Sequence, residues 1–446
     1  MTGSPSRASA VADDEPVKGS PLDTALFVFS GLTAIWLAAL LFQESFQLNH
    51  WWFSIIFWAV LAYLVLPRLH RILSRIYLPD YFIGRGRTSD GLLGDPINVT
   101  LLGSDAAVHT AMLRAGWTRA DEIDATSTRR IIVSTVTRRS YDEAPVSPLF
   151  VFGRQQDFTY QQEVNGSPGK RHHIRFWRCP PEWVLPGGTD VDWLAAGTYD
   201  KSVGFSLFTL QITHKIETDI DEERDYVIDS LTSSEPGATV RILRNFSTGY
   251  HSRNGGGDNI QTDGHLPVID LRPVDVGSPP AALAPADSRD RRPAPTTFGA
   301  SLVFLRGLTA LMLAVSLWTG DLTVVAGQEV DEYVSVVAGV VGAFALVEVL
   351  LAWLLLRGSN RVRIAAMLLS VAAIIAAAAD VVNGGPGITL STNLIGLGLD
   401  ILLIIALTSQ RSRTFAHRRS RSRRRNRRLR TTTEGIPQST DHLHEV

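Results

Sequence analysis

The stretch TALFVFSGLTAIWLAALLF, residues 24–42, decides the class of the fold. It carries no charged side chain, and roughly 20 mostly apolar residues are what a helix needs to cross the hydrocarbon core of a bilayer. A second run, WWFSIIFWAVLAYLVL at 51–66, begins with two tryptophans, which are typical of a membrane–water interface. Only the short link QESFQLNH separates the runs, so residues 23–67 are predicted to form a transmembrane helical hairpin.

Four more apolar runs follow a long polar middle and predict a four-helix transmembrane bundle over 298–407. They cover about 298–318, 333–356, 362–382 and 389–407. Small residues are frequent in them, which favours close helix packing in lipid, and no interruption marks a broken helix. The chain is therefore expected to contain about six transmembrane helices.

The distribution of arginine orients these helices. Arginines follow the second run, stand between the fourth and fifth in RGSNRVR, and fill residues 411–430, which hold 11 Arg and no Asp or Glu. The links on the alternate side, QESFQLNH, GDLTVVAGQEVDE and VVNGGPGI, contain no Lys or Arg. By the positive-inside rule, both termini and the polar middle are expected on the cytoplasmic side of the cell membrane. The single cysteine, Cys179, excludes an intramolecular disulfide and fits a reducing compartment.

The amino-acid composition predicts the structure of the segments outside the apolar runs and the polar middle. Residues 1–22 and the Arg-rich 408–446 are predicted to be disordered tails, and 274–297 a Pro/Ala-rich linker. The segment 68–78 places arginines and apolar residues at helical spacing, which predicts a basic amphipathic helix lying on the headgroups.

Residues 79–273 are predicted to form a cytoplasmic α+β domain with a mostly antiparallel sheet, because short strands separated by turn residues prevail. Ser104 and Gly116 bracket one helix as N-cap and C′ residues. A helix over 219–234 has acids in its first turn, where the helix dipole favours them. A helix over 127–141 is favoured, although its β-branched content leaves a strand open.

Several motifs in this middle region occur in a recognisable order. They read GDPINVTLLGS, PVSPLFVFGRQQDFTYQQ, GSPGKRHHIRFW, WLAAGTYDKSVGFS and ITHKIETDIDEERDYVIDSL. Over about 150 residues, from Gly94 to Leu231, they resemble the LssY C-terminal domain family, and the whole chain looks like actinobacterial membrane proteins that carry this domain between transmembrane segments. The resemblance implies no catalytic residues. Relatives can be fused to phosphatidic-acid-phosphatase-type membrane domains, but the PSGH and K-x₆-RP motifs of that site are absent here.

A His/carboxylate set is the first candidate for chemistry. Alternation in a strand puts His172 and His173 on opposite faces, His214 lies in another predicted strand, and Asp221 and Glu223 follow it. Such a set could bind a metal or perform acid–base catalysis. Its spacing matches no metal-binding motif, so surface or structural roles are favoured and no metal site is predicted.

The turn GRQQD supplies a second candidate, formed by Arg154, Gln155 and Asp157. These side chains could line a polar pocket for a phosphorylated headgroup or a small ligand. A charged turn with an Arg154–Asp157 pair is the favoured alternative. GRGR and GSPGK lack the Walker spacing, so a nucleotide-binding loop is not predicted.

Three charged residues inside the predicted spans form the third candidate. Arg306, Glu348 and Asp400 each lie seven or eight residues from the cytoplasmic end of a span, which is a shared depth of roughly 11–12 Å. Charges in lipid are costly, so the three are expected to meet in the bundle interior. A polar cluster that fixes helix packing is favoured over an ion or substrate path.

The Arg-rich tail is expected to bind phosphate groups. It follows a span directly, so anionic lipid headgroups are the phosphates nearest to it, and lipid contact is favoured over nucleic acid. The favoured function is an integral membrane protein whose domain binds a ligand, lipid headgroup or protein partner at the membrane surface. The alternative is a membrane-anchored hydrolase-like enzyme acting on a phosphate ester or envelope lipid. The sequence defines no cofactor and no oligomeric state.

Overall fold

The computed structural model describes residues 20–47, 50–78, 81–121, 146–164, 167–247, 252–277, 292–319 and 331–421. The predicted helix at 127–141 lies outside the described residues, as do 1–19, 278–291 and 422–446 of the predicted tails and linker. The chain divides into two compact units. One contains Ile55–Arg289, and the other joins Val17–Ser54 to Asp290–Val446.

The helices and strands are as follows in chain order. The helices are α1 (Pro21–Glu44), α2 (Phe53–Val60), α3 (Leu66–Tyr77), α4 (Asp105–Arg114), α5 (Ile220–Ser234), α6 (Ala294–Thr319), α7 (Asp331–Leu356), α8 (Asn360–Val382), α9 (Leu394–Thr408) and α10 (Gln410–Arg421). The strands are β1 (Arg85–Thr88), β2 (Leu93–Pro96), β3 (Val99–Leu102), β4 (Thr118–Arg119), β5 (Leu149–Val151), β6 (Arg154–Gln155), β7 (Phe158–Val164), β8 (Ser167–Arg178), β9 (Val184–Leu185), β10 (Thr189–Asp190), β11 (Trp193–Phe205), β12 (Ile212–Ile216), β13 (Thr239–Leu243) and β14 (Leu266–Asp270).

Among the described residues, five helices are long and apolar enough to cross a membrane. They are α1, the joined α2 and α3, α6, α7 and α8. A sixth is present if α9 and α10, which are bent by 60° at Ser409, count as one span. The helices fit a multi-pass membrane protein. The sixth run was predicted over 389–407, whereas the helix begins at Leu394 and ends at Thr408, and the bend at Ser409 lies just past the predicted run.

Residues 68–77, predicted as a separate interfacial helix, continue the second apolar helix. α2 passes into a π-helical turn, Leu61–Val65, and then into α3 without interruption. Pro67 has no N–H to donate, and in a regular α-helix its ring would clash with the carbonyl four residues back. The wider π turn before it gives that carbonyl room. Residues 53–77 are therefore one helix, called the long helix below.

The Arg-rich segment 408–446, predicted to be disordered throughout, begins with α10. Ser412, Phe415 and Ala416 are buried, and their spacing of three and four residues places them on one face of this helix. These buried residues explain why the first part of the segment is helical, although its arginine content predicts disorder.

The larger sheet has the strand order β13-β14-β3-β11-β8-β7-β4, with β12 paired to the far end of β11. Its described pairs are antiparallel apart from β14 with β3. A smaller antiparallel sheet has the order β2-β1-β5-β6. The α+β domain with a mostly antiparallel sheet is confirmed, although β1 and β2 lie in a Gly-rich polar stretch that carried no strand pattern.

The larger sheet is covered on both faces. Val108 of α4 and Val227 of α5 pack with Ile174 on one face. Leu149 of the smaller sheet packs with Trp177 on the other. The predicted ends of α4 are confirmed, because the Ser104 hydroxyl accepts a hydrogen bond from the Ala107 N–H and Gly116 has φ of +78°.

Candidate functional site

The two adjacent histidines of β8 belong to different sites, one on each face of the larger sheet. In the register with β11, His172 lies opposite Tyr199 and His173 opposite Thr198. Side chains alternate along a strand, so His172 faces the helices and His173 faces the smaller sheet. The sequence-predicted His/carboxylate set therefore does not form one site.

On the helix face, His172 pairs with a buried glutamate. His172 Nδ1 lies 2.5 Å from Glu223 Oε2, and the imidazole stacks on Tyr226 at 4.1 Å between ring centroids. Burial raises the pKa of Glu223, and the contact with His172 offsets only part of that effect. Glu223 and His172 form a dyad under an aromatic ring.

On the opposite face, His173 is the centre of a buried charged network. Its Nε2 lies 2.7 Å from the Thr198 hydroxyl and 3.9 Å from Asp95 Oδ2, and its Nδ1 lies 3.4 Å from Asp200 Oδ2. Arg175 donates to Asp95 Oδ2 at 2.5 Å. We call Asp95, His173, Arg175, Thr198 and Asp200 the ionic cluster; each is less than a tenth exposed.

The charges in the ionic cluster hold one another in the ionised form. Burial acts to raise the pKa of Asp95, but Arg175, His173 and Arg85 outweigh it and bring that pKa to about 2. Burial acts to lower the pKa of His173, but the Asp200 carboxylate outweighs it, so the pKa of His173 is raised above 6.5. The surrounding carboxylates therefore favour the protonated form of His173, whose Nε2 is hydrogen-bonded to the Thr198 hydroxyl.

This raised pKa predicts a pH-dependent stability. A histidine whose pKa is higher in the folded state than in the unfolded state stabilises the fold below about pH 6.5, and that stability is lost as pH rises through the raised value. We expect the full chain to lose stability as pH rises above 6.5, measured by urea unfolding. His173→Gln should flatten this slope, and an unchanged slope in the variant would contradict the assignment.

The ionic cluster reaches solvent at one end of β11. His214 of β12 lies 3.5 Å from Asp200 Oδ2, and its side chain is 48% exposed. Arg171, two residues before His173 on the same strand face, donates to Gln161 Oε1 at 3.2 Å. Arg85 donates to the Gly94 carbonyl, with its Nη2 at 2.7 Å. This edge of the cluster thus combines an exposed histidine, His214, with the nearby but buried Arg171.

Other predicted site residues have structural contacts elsewhere. Asp221 accepts from the Thr262 hydroxyl at 2.8 Å and from the Asp263 N–H at 2.5 Å, which ties the start of α5 to a loop. Arg154 and Asp157 form the predicted pair at 2.6 Å. Arg154 also donates to the Arg178 carbonyl, and Gln155 lies in the short strand β6. This geometry matches the charged turn rather than a pocket.

The second unit contains the predicted intramembrane group. Arg306 of α6 donates to Glu348 of α7 at 2.8 Å and to Asp400 of α9 at 2.7 Å. Ser370 of α8 completes the group, because its hydroxyl accepts from Arg306 at 3.0 Å and donates to Asp400 at 2.6 Å. A Cβ on Gly307 would meet Glu348 Cβ at 3.0 Å, so glycine permits this close approach of α6 and α7.

Sequence reasoning missed a second buried ion pair in this unit and most of the ionic cluster. Asp23 of α1 pairs with Arg363 of α8, which also donates to the Leu407 carbonyl at 2.9 Å, near the break between α9 and α10. For the ionic cluster a signal was present. Arg171, His173 and Arg175 alternate along β8, and three cations on one strand face imply buried carboxylates opposite them.

Within the described ranges, no group of three or more His, Cys, Asp or Glu side chains could hold a metal ion. Comparison with known proteins finds no matching curated protein and no matching solved structure. A family model does match part of the chain. Both the ionic cluster and the His172–Glu223 pair fall inside that part: residues 75–266 match the family described as the LssY C-terminus.

Proposed function

We propose that the chain is a multi-pass membrane protein whose sheet domain, on the cytoplasmic side, binds a phosphate-bearing lipid headgroup at the Arg171–His214 edge of the ionic cluster. The arrangement of Lys and Arg around the apolar helices supports the cytoplasmic side. The proposed ligand chemistry follows from the charges at this edge and from its distance to the long helix.

The location of the exposed edge carries the proposal. His214 lies on β12, and two residues earlier the Ile212 N–H donates to the hydroxyl of Tyr63 on the long helix at 3.3 Å. Two residues of a strand span roughly 6–7 Å. The exposed end of the ionic cluster is therefore next to a helix that is long and apolar enough to cross a membrane.

The charge balance favours an anion at this edge. The cluster and its edge hold three arginines and a histidine whose raised pKa favours its charged form, against three carboxylates, without His214. The basic side chains are Arg85, Arg171, His173 and Arg175, and the carboxylates are Asp95, Asp200 and Glu163, which lies opposite Arg171 in the register of β7 with β8. Charge interactions are strengthened where water is partly excluded, and a guanidinium matches the geometry of a phosphate.

A second candidate function is hydrolysis, and the order of contacts Thr198–His173–Asp200 favours it. A hydroxyl, an imidazole and a carboxylate in that order are the parts of a nucleophile, its base and an orienting group. However, Thr198 is 1% exposed, and the nearby carboxylates favour the protonated form of His173, which cannot accept the hydroxyl proton. Binding therefore accounts for the geometry better than hydrolysis.

The test is an equilibrium titration of the full chain in detergent with dihexanoyl phosphatidic acid. We expect saturable binding that Arg171→Gln and His214→Asn each weaken about tenfold, which is a loss of about 1.4 kcal/mol. Arg241→Gln, at an exposed position of β13, is the matched control and should bind as the unmodified chain does.

Two outcomes would overturn the proposal. If a variant lacking residues 422–446 loses all binding, the Arg-rich segment is the binding site. If Arg171→Gln and His214→Asn bind like the control, the edge of the cluster is not involved. Release of inorganic phosphate during the titration, abolished by Thr198→Val, would instead establish the hydrolase.

A further inference from the structure

The loop between β11 and β12 presents large apolar side chains to the outside of the domain. We call Phe205–Ile212 the hairpin tip. Leu207 is 85% exposed, and Phe208 and Ile212 are each more than half exposed. Val203, just before the tip, is also more than half exposed. Such a concentration of exposed apolar surface on one loop marks a surface that meets an apolar partner.

Hydrogen bonds attach the hairpin tip to the long helix at defined positions. Trp58 Nε1 donates to the Leu210 carbonyl at 3.1 Å, and Gln211 Nε2 donates to the Ala62 carbonyl at 2.7 Å. The ring of Phe208 stacks on His70 at 5.3 Å between centroids. The carbonyl of Ala62 is available because the π turn at 61–65 alters the regular helix ladder.

These contacts define how deep the tip lies relative to the helix. The apolar part of the long helix is Phe53–Ser74, and Arg68 and Arg71 lie in its final third. Ala62 and Trp58 precede Arg68 by six and ten residues, which is roughly 9 and 15 Å along the axis. Arginines near a helix end extend to the headgroups, so Leu210 and Gln211, which are bonded to Trp58 and Ala62, lie beyond the headgroup level, among the acyl chains. Phe208 stacks on His70, between the two arginines, and so lies at the level of the headgroups.

The backbone of the tip is suited to lipid. A loop in hydrocarbon is tolerated only where its polar groups find partners in the protein. The Ser206 N–H donates to the Gln211 carbonyl at 2.8 Å, and the Thr209 N–H donates to the Ser206 hydroxyl at 3.2 Å. The Ser206 hydroxyl in turn donates to the Gly256 carbonyl at 2.8 Å.

We infer that the hairpin tip inserts into the bilayer beside the long helix, with the exposed Leu207 in contact with lipid acyl chains and Phe208 at the level of the headgroups. The tip and the long helix would then hold the Arg171–His214 edge at the membrane surface. This inference rests on the long helix crossing the membrane, but it does not depend on which ligand the edge binds.

The experiment measures the depth of single cysteine labels on the full chain in nanodiscs. In a Cys179→Ser background, a bimane label is attached at Leu207→Cys, and lipids brominated in their acyl chains serve as the quencher. Two labels are controls: Ile55→Cys on the apolar helix, and Ile242→Cys on β13, which the strand register places about 12 residues, or ~40 Å, from Leu207. Both control side chains are more than half exposed.

We expect brominated lipids to quench labels 207 and 55 by at least about twofold and to leave label 242 unchanged, whereas aqueous iodide should quench only label 242. Iodide quenching of 207 with lipid quenching of 55 would overturn the insertion while leaving the membrane span intact. Iodide quenching of both labels 207 and 55 would show that the long helix does not cross the membrane. If Leu207→Cys is not monodisperse, Phe205→Cys, in the tip and beside Trp58, replaces it, with lipid quenching supporting insertion and iodide quenching opposing it.

Discussion

Replacing Arg306 with methionine is expected to lower the free energy of unfolding by about 3–5 kcal/mol, because it leaves the acidic partners of a buried ion pair without a counter-charge. Glu348 is fully buried, and Arg306 is bonded to both Glu348 and Asp400. In the variant Glu348 is left in an apolar interior, where an isolated charge is costly, and Asp400 keeps only its hydrogen bond from Ser370 within the group. SDS-induced unfolding of the full chain in mixed micelles measures the loss.

Two further variants distinguish a charge effect from a packing effect. Arg306→Met combined with Glu348→Gln and Asp400→Asn removes every charge of the group and should recover most of the lost stability. Arg357→Met, which removes an exposed arginine stacked on Trp353, should cost at most about 1 kcal/mol. Unfolding of Arg306→Met at the SDS fraction of the unmodified chain would show that the group contributes no stability.

Arg175→Met is expected to destabilise the sheet domain by about 3–5 kcal/mol, since it leaves Asp95 ionised and buried without its closest cation. Urea unfolding of the full chain in detergent, followed by tryptophan fluorescence, measures this effect. The matched control is Arg178→Met on the same strand. The Arg178–Asp105 pair is solvent-exposed, so its loss should cost no more than about 1 kcal/mol.

A second substitution tests the origin of the Arg175 effect. Asp95→Asn in the Arg175→Met background removes the stranded carboxylate and should restore part of the lost stability. An additive loss in the double variant would mean that the two side chains act independently, contrary to the ion pair.

The apolar helices could be predicted because their signal is local. A run of roughly 20 apolar residues has few alternatives, and the boundaries of α1, α6, α7 and α8 agree with the runs within a few residues. The helix ends at Ser104 and Gly116 were also local, since one side chain caps the start and one φ value ends the helix. The contact of Arg306 with Glu348 and Asp400 could be predicted because the three residues lie at the same distance from the ends of their helices.

Interactions between distant parts of the chain could not be predicted in this way. Asp95 and Asp200 lie far apart in sequence and meet at His173 only because β8 pairs with β11 while the smaller sheet covers that face. The hairpin tip likewise contains apolar residues that resemble an ordinary strand end. Its position beside the long helix is known from the hydrogen bonds with Trp58 and Ala62. The alternation of apolar and polar residues along the chain cannot predict such contacts.

The most direct test of the central claim is a cryo-EM map of the full chain in nanodiscs that contain phosphatidic acid. We expect headgroup density within hydrogen-bonding distance of Arg171 and His214, with the hairpin tip inside the lipid disc. Headgroup density at the Arg-rich segment alone, with the Arg171–His214 edge facing water outside the disc, would contradict both the proposed binding site and its position at the membrane.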